Sequence, residues 1–315
     1  MDLTRLRLLV ELGRLGTMAA VSEVTGMGTS AISKHFAVLE KEAGVRLLVP
    51  DGRRVRLTPA GHRLVEHAVG ILARVEAAQA EMAGESEPAG RVDLVTFISV
   101  APPIVLPALR RLREEHPRVD VRLIEHEPDQ ALELLQTGAA DVGLVYEYSL
   151  VPRRFPDTLA LHRIGAEPLL LAQPSTASSG GRAMTAERLR ELSDASWIAN
   201  SRGSDEDELV QRMCATAGFA PRIRHRIDNL DVVTSVVAAG RGVGVMPKLA
   251  AARRRGVTHT PLGDIGGVRR IYLVSRTGGW SWRPIRAVGQ HLRDAARAVL
   301  DDVDETPLAA SDERG

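Results

Sequence analysis

Thr29, Ser30, Ser33, Lys34 and His35 crowd hydrogen-bonding side chains into one short stretch near the start of the chain. A lysine donates to phosphate or to guanine acceptors, hydroxyls both donate and accept, and an imidazole does either according to its protonation. That chemistry is recognition of nucleic acid, with two or three of these side chains touching only phosphate or sugar, where half or more of such bonds go. Thr17, just upstream, joins the set. Arg53, Arg54 and Arg56 form a second group: they hold phosphates or enter the minor groove, or else they are a solvated charged turn. A third group is spread along the later chain, where strands end and helices begin: Ser99, Val100, Tyr146, Glu147, Ser201, Arg202, Gly203 and Asn229. Such places take small molecules when two open sheets face each other. Arg202 can pair with a carboxylate, which favours an anionic ligand, although Asp205–Glu208 already offset the dipole of the helix there. Ser204 is positioned to cap that helix, with Asp207 as its reciprocal partner.

Catalytic chemistry is harder to find. His62, His67, His116, His126, His162, His225, His259 and His291 are scattered without metal-ligand spacing, and no nucleophile elbow, phosphate loop or dinucleotide fingerprint is present. The expectation is no enzyme, no metal and no cofactor. The single cysteine, Cys214, excludes an internal disulfide; in an apolar helical run it reads as a small core residue rather than a redox sensor. A formal net charge of +1 over 315 residues argues against a uniformly basic coat, but residues 1–58 carry a local surplus of Lys and Arg. No signal-peptide pattern opens the chain and no apolar run approaches a membrane span, so a cytoplasmic location is expected.

The elements that must position these groups follow from periodicity. Leu3, Leu6, Val10 and Gly13 mark a first helix, Met18–Thr25 a second and Ser30–Ala43 a third, with a glycine-bearing turn at Gly26–Gly28. That is helix-turn-helix grammar, with Ala20, Val24, Ile32, Phe36 and Leu39 as its core. Alternating residues either side of Asp51-Gly52 predict a hairpin, hence a basic wing. Thr58-Pro59 opens a long helix on which Gly61, Leu64, Ala68, Ile71, Val75, Ala78 and Met82 recur at heptad spacing. The seam pairs with a second copy of the chain or packs on its own; dimerisation through Leu64, Ala68, Ile71, Val75, Ala78 and Met82 is favoured.

From Arg91 strands alternate with helices. Strands are expected at Val92–Ile98, Val119–Glu125, Asp141–Tyr146, Leu169–Ala172, Trp197–Ala199, Arg222–Arg226, Val243–Met246 and Arg270–Ser275. Helices are expected at Pro103–His116, Asp129–Gly138, Ala186–Leu192, Asp205–Ala217, Leu230–Ala239 and Pro284–Leu300. The order implies parallel sheets in two open lobes, with the last strand and helix returning to the first. Asp141 and the Gly240–Pro247 run read as structural.

The run from Leu3 to Gly61 resembles the N-terminal region of LysR-type transcriptional regulators. The resemblance is carried by Gly16-Thr-Met-Ala-Ala20, Ser30-Ala-Ile-Ser-Lys-His-Phe-x-x-Leu-Glu40, Gly44-Val-x-Leu-Leu48 and Arg53-Arg-Val-Arg-Leu-Thr-Pro-Ala-Gly61. Leu106-Pro107, His116-Pro117, Gly138-Ala-Ala-Asp-Val-Gly-Leu144 and Gly240–Pro247 are similar to that family's effector domain. Gly28-Thr29 stands where many members have Ser-Gln; without the glutamine a bidentate adenine reader is lost. Met18 replaces a bulky aromatic, and Leu47-Leu48-Val49-Pro50 replaces Leu-Phe-x-Arg.

The resulting expectation is an α/β chain with an N-terminal all-α winged helix-turn-helix, a linker helix and a two-lobe, periplasmic-binding-protein-like effector domain. Its bounds are 1–58 for the DNA-binding domain, 59–84 for the dimerising helix, 85–90 for a hinge and 91–302 for the effector domain. Lobe I takes about 91–163 and 267–302, lobe II about 164–266, and 303–315 form a loose tail. The resemblance implies a homodimer or homotetramer on double-stranded promoter DNA, a small-molecule effector, a carboxylate being favoured, and RNA polymerase as a further partner. The alternative is a cytoplasmic small-molecule binding protein without a DNA role.

Overall fold

The computed structural model describes residues 1–51, 54–82, 87–175, 183–200, 205–251 and 254–301. The first helix, α1 (Leu3–Leu15), starts where the Asp2 carboxylate accepts the Thr4 N–H at 2.8 Å and stops at Gly16, whose φ of 73° is the left-handed conformation that favours glycine. Thr17 caps α2 (Met18–Thr25) by accepting the Ala20 N–H at 3.2 Å, and Gly26 ends it the same way. Helix α3 (Thr29–Ala43) buries Ile32, Phe36 and Leu39 against Leu6, Leu9 and Leu12 of α1 and Val21 of α2. Val24, expected in this core, is 59% exposed. Helix α2 ends directly beyond it, and Val21 fills the core position instead.

Strands β1 (Leu48–Asp51) and β2 (Arg54–Leu57) pair antiparallel with Asp51 opposite Arg54. Glu40 of α3 holds this hairpin in place, its Oε1 accepting the N–H groups of Leu47 at 2.7 Å and Leu48 at 3.0 Å. The long helix α4 (Pro59–Met82) is capped by Thr58, whose hydroxyl accepts the Gly61 N–H at 3.0 Å and donates to the Arg46 carbonyl at 2.8 Å. A Cβ at Gly61 would lie 2.3 Å from the Leu47 carbonyl oxygen, so only glycine lets α4 cross the hairpin this closely.

The rest of the chain is built on a sheet in the order β4-β3-β5-β11-β6-β9-β7-β8. In lobe I, β3 (Gly90–Thr96), β4 (Val119–Glu125) and β5 (Val142–Tyr148) are parallel. In lobe II, β7 (Ser196–Ala199) runs parallel to β8 (Arg222–Arg226) and β9 (Val243–Pro247). The parallel expectation fails between them. Strand β6 (Leu159–Pro174) runs antiparallel to β11 (Val268–Arg276) along one half and to β9 and β10 (Val257–Pro261) along the other, so it belongs to both lobes. Within β6, Gly165 at φ 145° makes room for Leu300, and Asp301 forms an antiparallel bridge to Ala166. Asp301 is therefore docked on the effector domain, within its expected bounds.

Helices cover both sheet faces: α5 (Leu106–Glu115), α6 (Pro128–Thr137) and α10 (Arg283–Ala296) on lobe I, α7 (Ala186–Arg190), α8 (Asp205–Thr216) and α9 (Leu230–Ala238) on lobe II. Trp280, Phe97 and Leu292 anchor one lobe I core and Leu135 and Val274 the other; Trp197, Leu209 and Met213 anchor lobe II. The helix expected from Pro103 begins three residues later. A 3₁₀ turn (Ile98–Val100) and a wide π turn (Ala101–Val105) precede it, with Pro102 and Pro103 in the first turn, where a missing N–H is tolerated.

Candidate DNA-reading surface and effector cleft

Helix α3 divides into two faces. Ile32, Phe36 and Leu39 are locked in the core, while Thr29, Ser30, Ser33 and Lys34 are exposed and His35 is half-buried at the edge. Gly28 leads into α3 with extended backbone and no side-chain cap, unlike Asp2 and Thr17 on the preceding helices. The first N–H groups of α3 thus face outward with the positive end of the helix dipole, an arrangement suited to phosphate. Ser22 donates to the Met27 carbonyl at 2.7 Å and Thr25 to the Val21 carbonyl at 2.7 Å, fixing the turn that aims α3. On the hairpin, Arg56 is exposed while Leu57 is buried.

The two lobes meet around Arg269 of β11. Its guanidinium is buried and lies 4.9 Å above the rings of both Phe97 and Tyr146. Its Nε donates to Oε1 of Glu167 at 3.0 Å and its Nη2 to the hydroxyl of Ser99 at 2.7 Å. Glu167 sits directly opposite Arg269 on β6, and its second oxygen accepts the Leu249 N–H at 2.7 Å. Burial works against the charge of Arg269, but Glu167, Tyr148 and Tyr146 together outweigh it and hold the guanidinium above its usual value. Arg269, Phe97, Ser99 and Tyr146 line a cavity of about 40 Å³, together with Tyr148, Glu127, Asn200, Glu206 and Asp228. Tyr146 donates its hydroxyl to Glu127 at 2.7 Å. Burial, then the charges of Glu127, Asp207 and Asp228, push the Glu206 carboxyl up to about 8, with Arg269 opposing. Arg153 bonds both Asp129 of α6 and Asp205 of α8, tying one lobe to the other.

Residues 3–62 match the family model for the bacterial regulatory helix-turn-helix protein of the lysR family, and residues 85–297 match the LysR substrate binding domain. This chain belongs to the LysR family. It is a LysR-type transcriptional regulator with a helix-turn-helix DNA-binding domain and an effector-binding domain. It is 30% identical over 301 residues, 91% of this chain and 94% of the relative, to a probable hydrogen peroxide-inducible genes activator of Streptomyces viridosporus. It is 26% identical over 314 residues, 98% of this chain and 97% of the relative, to the nitrogen assimilation regulatory protein nac of Escherichia coli strain K12. Among solved structures, a full-length OxyR variant from Pseudomonas aeruginosa shares the fold with a TM-score of 0.74 at 21% identity, covering 94% of this chain and 95% of that one. CbnR in complex with its target DNA superimposes with a TM-score of 0.53 at 22% identity, covering 94% of this chain and all of the other.

In this LysR-family regulator the sequence-derived residues separate into several groups. Thr29, Ser30, Ser33, Lys34 and His35 share one end of α3, while Thr17 caps α2. Arg53 lies outside the described residues; Arg54 is placed by its backbone opposite Asp51. The α4 seam splits. Ala68 is fully buried in the core of its own N-terminal domain, with Val65 and Leu72 beside it, so it has no surface to offer a second chain. Leu64 and Val75 are half-buried and Ile71 is exposed; the side chains of Ala78 and Met82 lie outside the described residues.

Of the effector residues, Ser99 and Tyr146 line the cleft. Val100 does not: it is wholly buried in the lobe I core. Glu147 follows Tyr146 on β5 and so faces the other side of the sheet, where it accepts the Tyr272 hydroxyl at 2.7 Å and the Arg153 N–H at 2.9 Å. Asn229 is exposed and caps α9, accepting the N–H groups of Asp231 and Val232; its neighbours Asp228 and Leu230 line the cleft instead. Ser201, Arg202 and Gly203 lie outside the described residues, as does Ser204, while Asp207 bonds Arg226. Arg269, Phe97, Glu127 and Glu206 are cleft residues that sequence reasoning missed, as is Glu167, which holds Arg269 from behind the lining. Cys214 is buried with its thiol pushed up to about 12 by burial. Among the described residues no helix is long and apolar enough to cross a membrane.

Proposed function

We propose that this regulator binds double-stranded promoter DNA through Thr29, Ser30, Ser33, Lys34 and His35 of α3, with Thr17 and the arginines of the wing on phosphates or in the minor groove. The exposed polar face of α3, held rigid by a fully buried apolar face, is the observation that carries the reading. It works in the cytoplasm as a homodimer or homotetramer, with Leu64, Ile71 and Val75 of α4 available to a second copy, and it is not an enzyme. A small molecule in the cleft beside Ser99, Tyr146 and Arg269 shifts the balance between two assembly states.

The lining weighs against the carboxylate effector expected from the sequence. Among the described residues its guanidinium is already held by Glu167, and Glu127, Glu206 and Asp228 add carboxyl groups. A compact, polar hydrogen-bond donor fits better, and a cavity of about 40 Å³ requires the lobes to part for anything larger than a water or two. Hydrogen peroxide, the inducer named for one relative, does not carry over as a thiol signal, because a buried Cys214 held as the neutral thiol is a poor nucleophile.

Fluorescence anisotropy on the intergenic DNA upstream of the chain's own reading frame tests the reading. Wild type should bind with affinity that falls as salt rises, and Lys34→Ala should weaken it by about 1–3 kcal/mol if Lys34 reads a base. Absence of binding at low salt, or an unchanged affinity for Lys34→Ala together with Ser33→Ala, would refute it.

A further inference from the structure

Helices α5 and α10 pack side by side on lobe I, and their contact brings the neighbours Glu115 and His116 up to His291, far away in the sequence. We infer that these three form a site for a borderline-soft divalent ion of the zinc type. Their ligand atoms all lie within 4.8 Å of one another. Bonds of about 2.0–2.1 Å in a tetrahedral site would bring such atoms to about 3.4 Å, a closure that the exposed Glu115 side chain can make by rotating.

The hydrogen bonding of His291 is already that of a ligand. Its Nδ1 lies 2.8 Å from the Ala287 carbonyl, which can only accept, so Nδ1 carries a proton and, in the neutral ring, Nε2 carries the lone pair. That lone pair points at Oε2 of Glu115, 3.3 Å away. Two acceptors at this distance repel unless a proton or a cation sits between them. His116 adds an independent sign: its Nδ1 is buried without a hydrogen-bond partner among the described residues, and its ring stands edge-on to His291 at 5.6 Å. A ring nitrogen left in this state costs free energy that a metal bond would recover.

A fourth position faces a groove of about 430 Å³. Its charged lining besides Glu115 is Arg111 of α5 and Arg283, Arg286 and Asp294 of α10. The arginines disfavour hard cations held by charge alone, and two imidazoles select an ion that takes nitrogen. Pro88, just before β3, lines the same groove, so an ion there would join α5 to α10 where the chain enters the effector domain.

The test uses the full chain stripped by a chelator and titrated with Zn²⁺ by calorimetry, with Co²⁺ absorption as a second reading. The expected result is one ion per chain at about micromolar affinity or tighter, with visible Co²⁺ bands of tetrahedral strength. Glu115→Gln and His116→Gln should each weaken binding about tenfold or more while leaving the metal-free melting temperature unchanged. Binding that either variant leaves untouched, or no saturation below about 100 μM, overturns the site.

Discussion

Replacing Glu167 with glutamine should destabilise the effector domain more than any other single isosteric change in the cleft. Glu167 accepts Arg269 on one oxygen and the Leu249 N–H on the other, and both partners are donors only. A glutamine has one oxygen, so whichever way its amide is turned, its NH₂ group meets a donor. The change also leaves Arg269, only 3% exposed, without its counter-charge. Breaking a buried pair from one side costs about 3–5 kcal/mol. For a domain of this size each kcal/mol moves the melting temperature by about 2–4 °C, so a fall of roughly 6–20 °C is expected. Scanning calorimetry of the full chain at constant pH reads it. The control is Glu167→Leu combined with Arg269→Met, which removes both charges and should recover more than half of the loss. A fall below about 3 °C in the single variant, or a double variant worse than the single, would refute the argument that the pair is held by mutual compensation.

Glu206 sets a pH dependence of definite sign. Its carboxyl is held at about 8 in the folded chain against an ordinary value of 4.5, so between these values the folded state keeps a proton that the unfolded state has lost. Stability should therefore fall as pH rises from about 5 to 8, by at most about 1.4 kcal/mol per pH unit, and level off above. Glu206→Gln should flatten that slope in thermal melts; an identical profile would show that the cleft carboxyl is ionised throughout. Ile71→Asp, at an exposed position of α4, should weaken self-association tenfold or more in sedimentation while changing monomer stability by less than about 0.5 kcal/mol; unchanged association would move the interface off this face. Cys214 should react with thiol reagents only at the rate of unfolding, and peroxide should leave DNA binding unchanged; rapid labelling of the native chain would contradict its burial.

The reading head was legible because its signals are local. Gly16, Gly26 and Thr58-Pro59 punctuate helices whose apolar faces repeat within a few residues, and Asp51-Gly52 marks its own turn. The cleft was not, because its central pair depends on Arg269 meeting Glu167 across strands whose register no nearby residue records. Ser99 and Tyr146 could be placed at strand ends, whereas Glu147 was misplaced although strand alternation already puts it on the opposite face from Tyr146. Ala68 shows the other limit: spacing alone could not say which of two overlapping stripes on α4 faces α1. Likewise His116 and His291 share no sequence spacing, since the packing of α5 on α10 alone brings them together.

The contacts among Glu40, Leu47, Thr58 and Gly61 have a mechanical meaning. They weld α3, the hairpin and the start of α4 into one piece, so α4 acts as the shaft of a lever with the reading helix as its head. At 24 residues and about 1.5 Å per residue the shaft is about 36 Å long. A tilt of about 10° at its far end would swing the head by about 6 Å, or roughly two base-pair steps at about 3.4 Å each. On the proposed reading, a modest rotation where the shaft meets the effector domain is thus enough to move α3 out of register with its half-site.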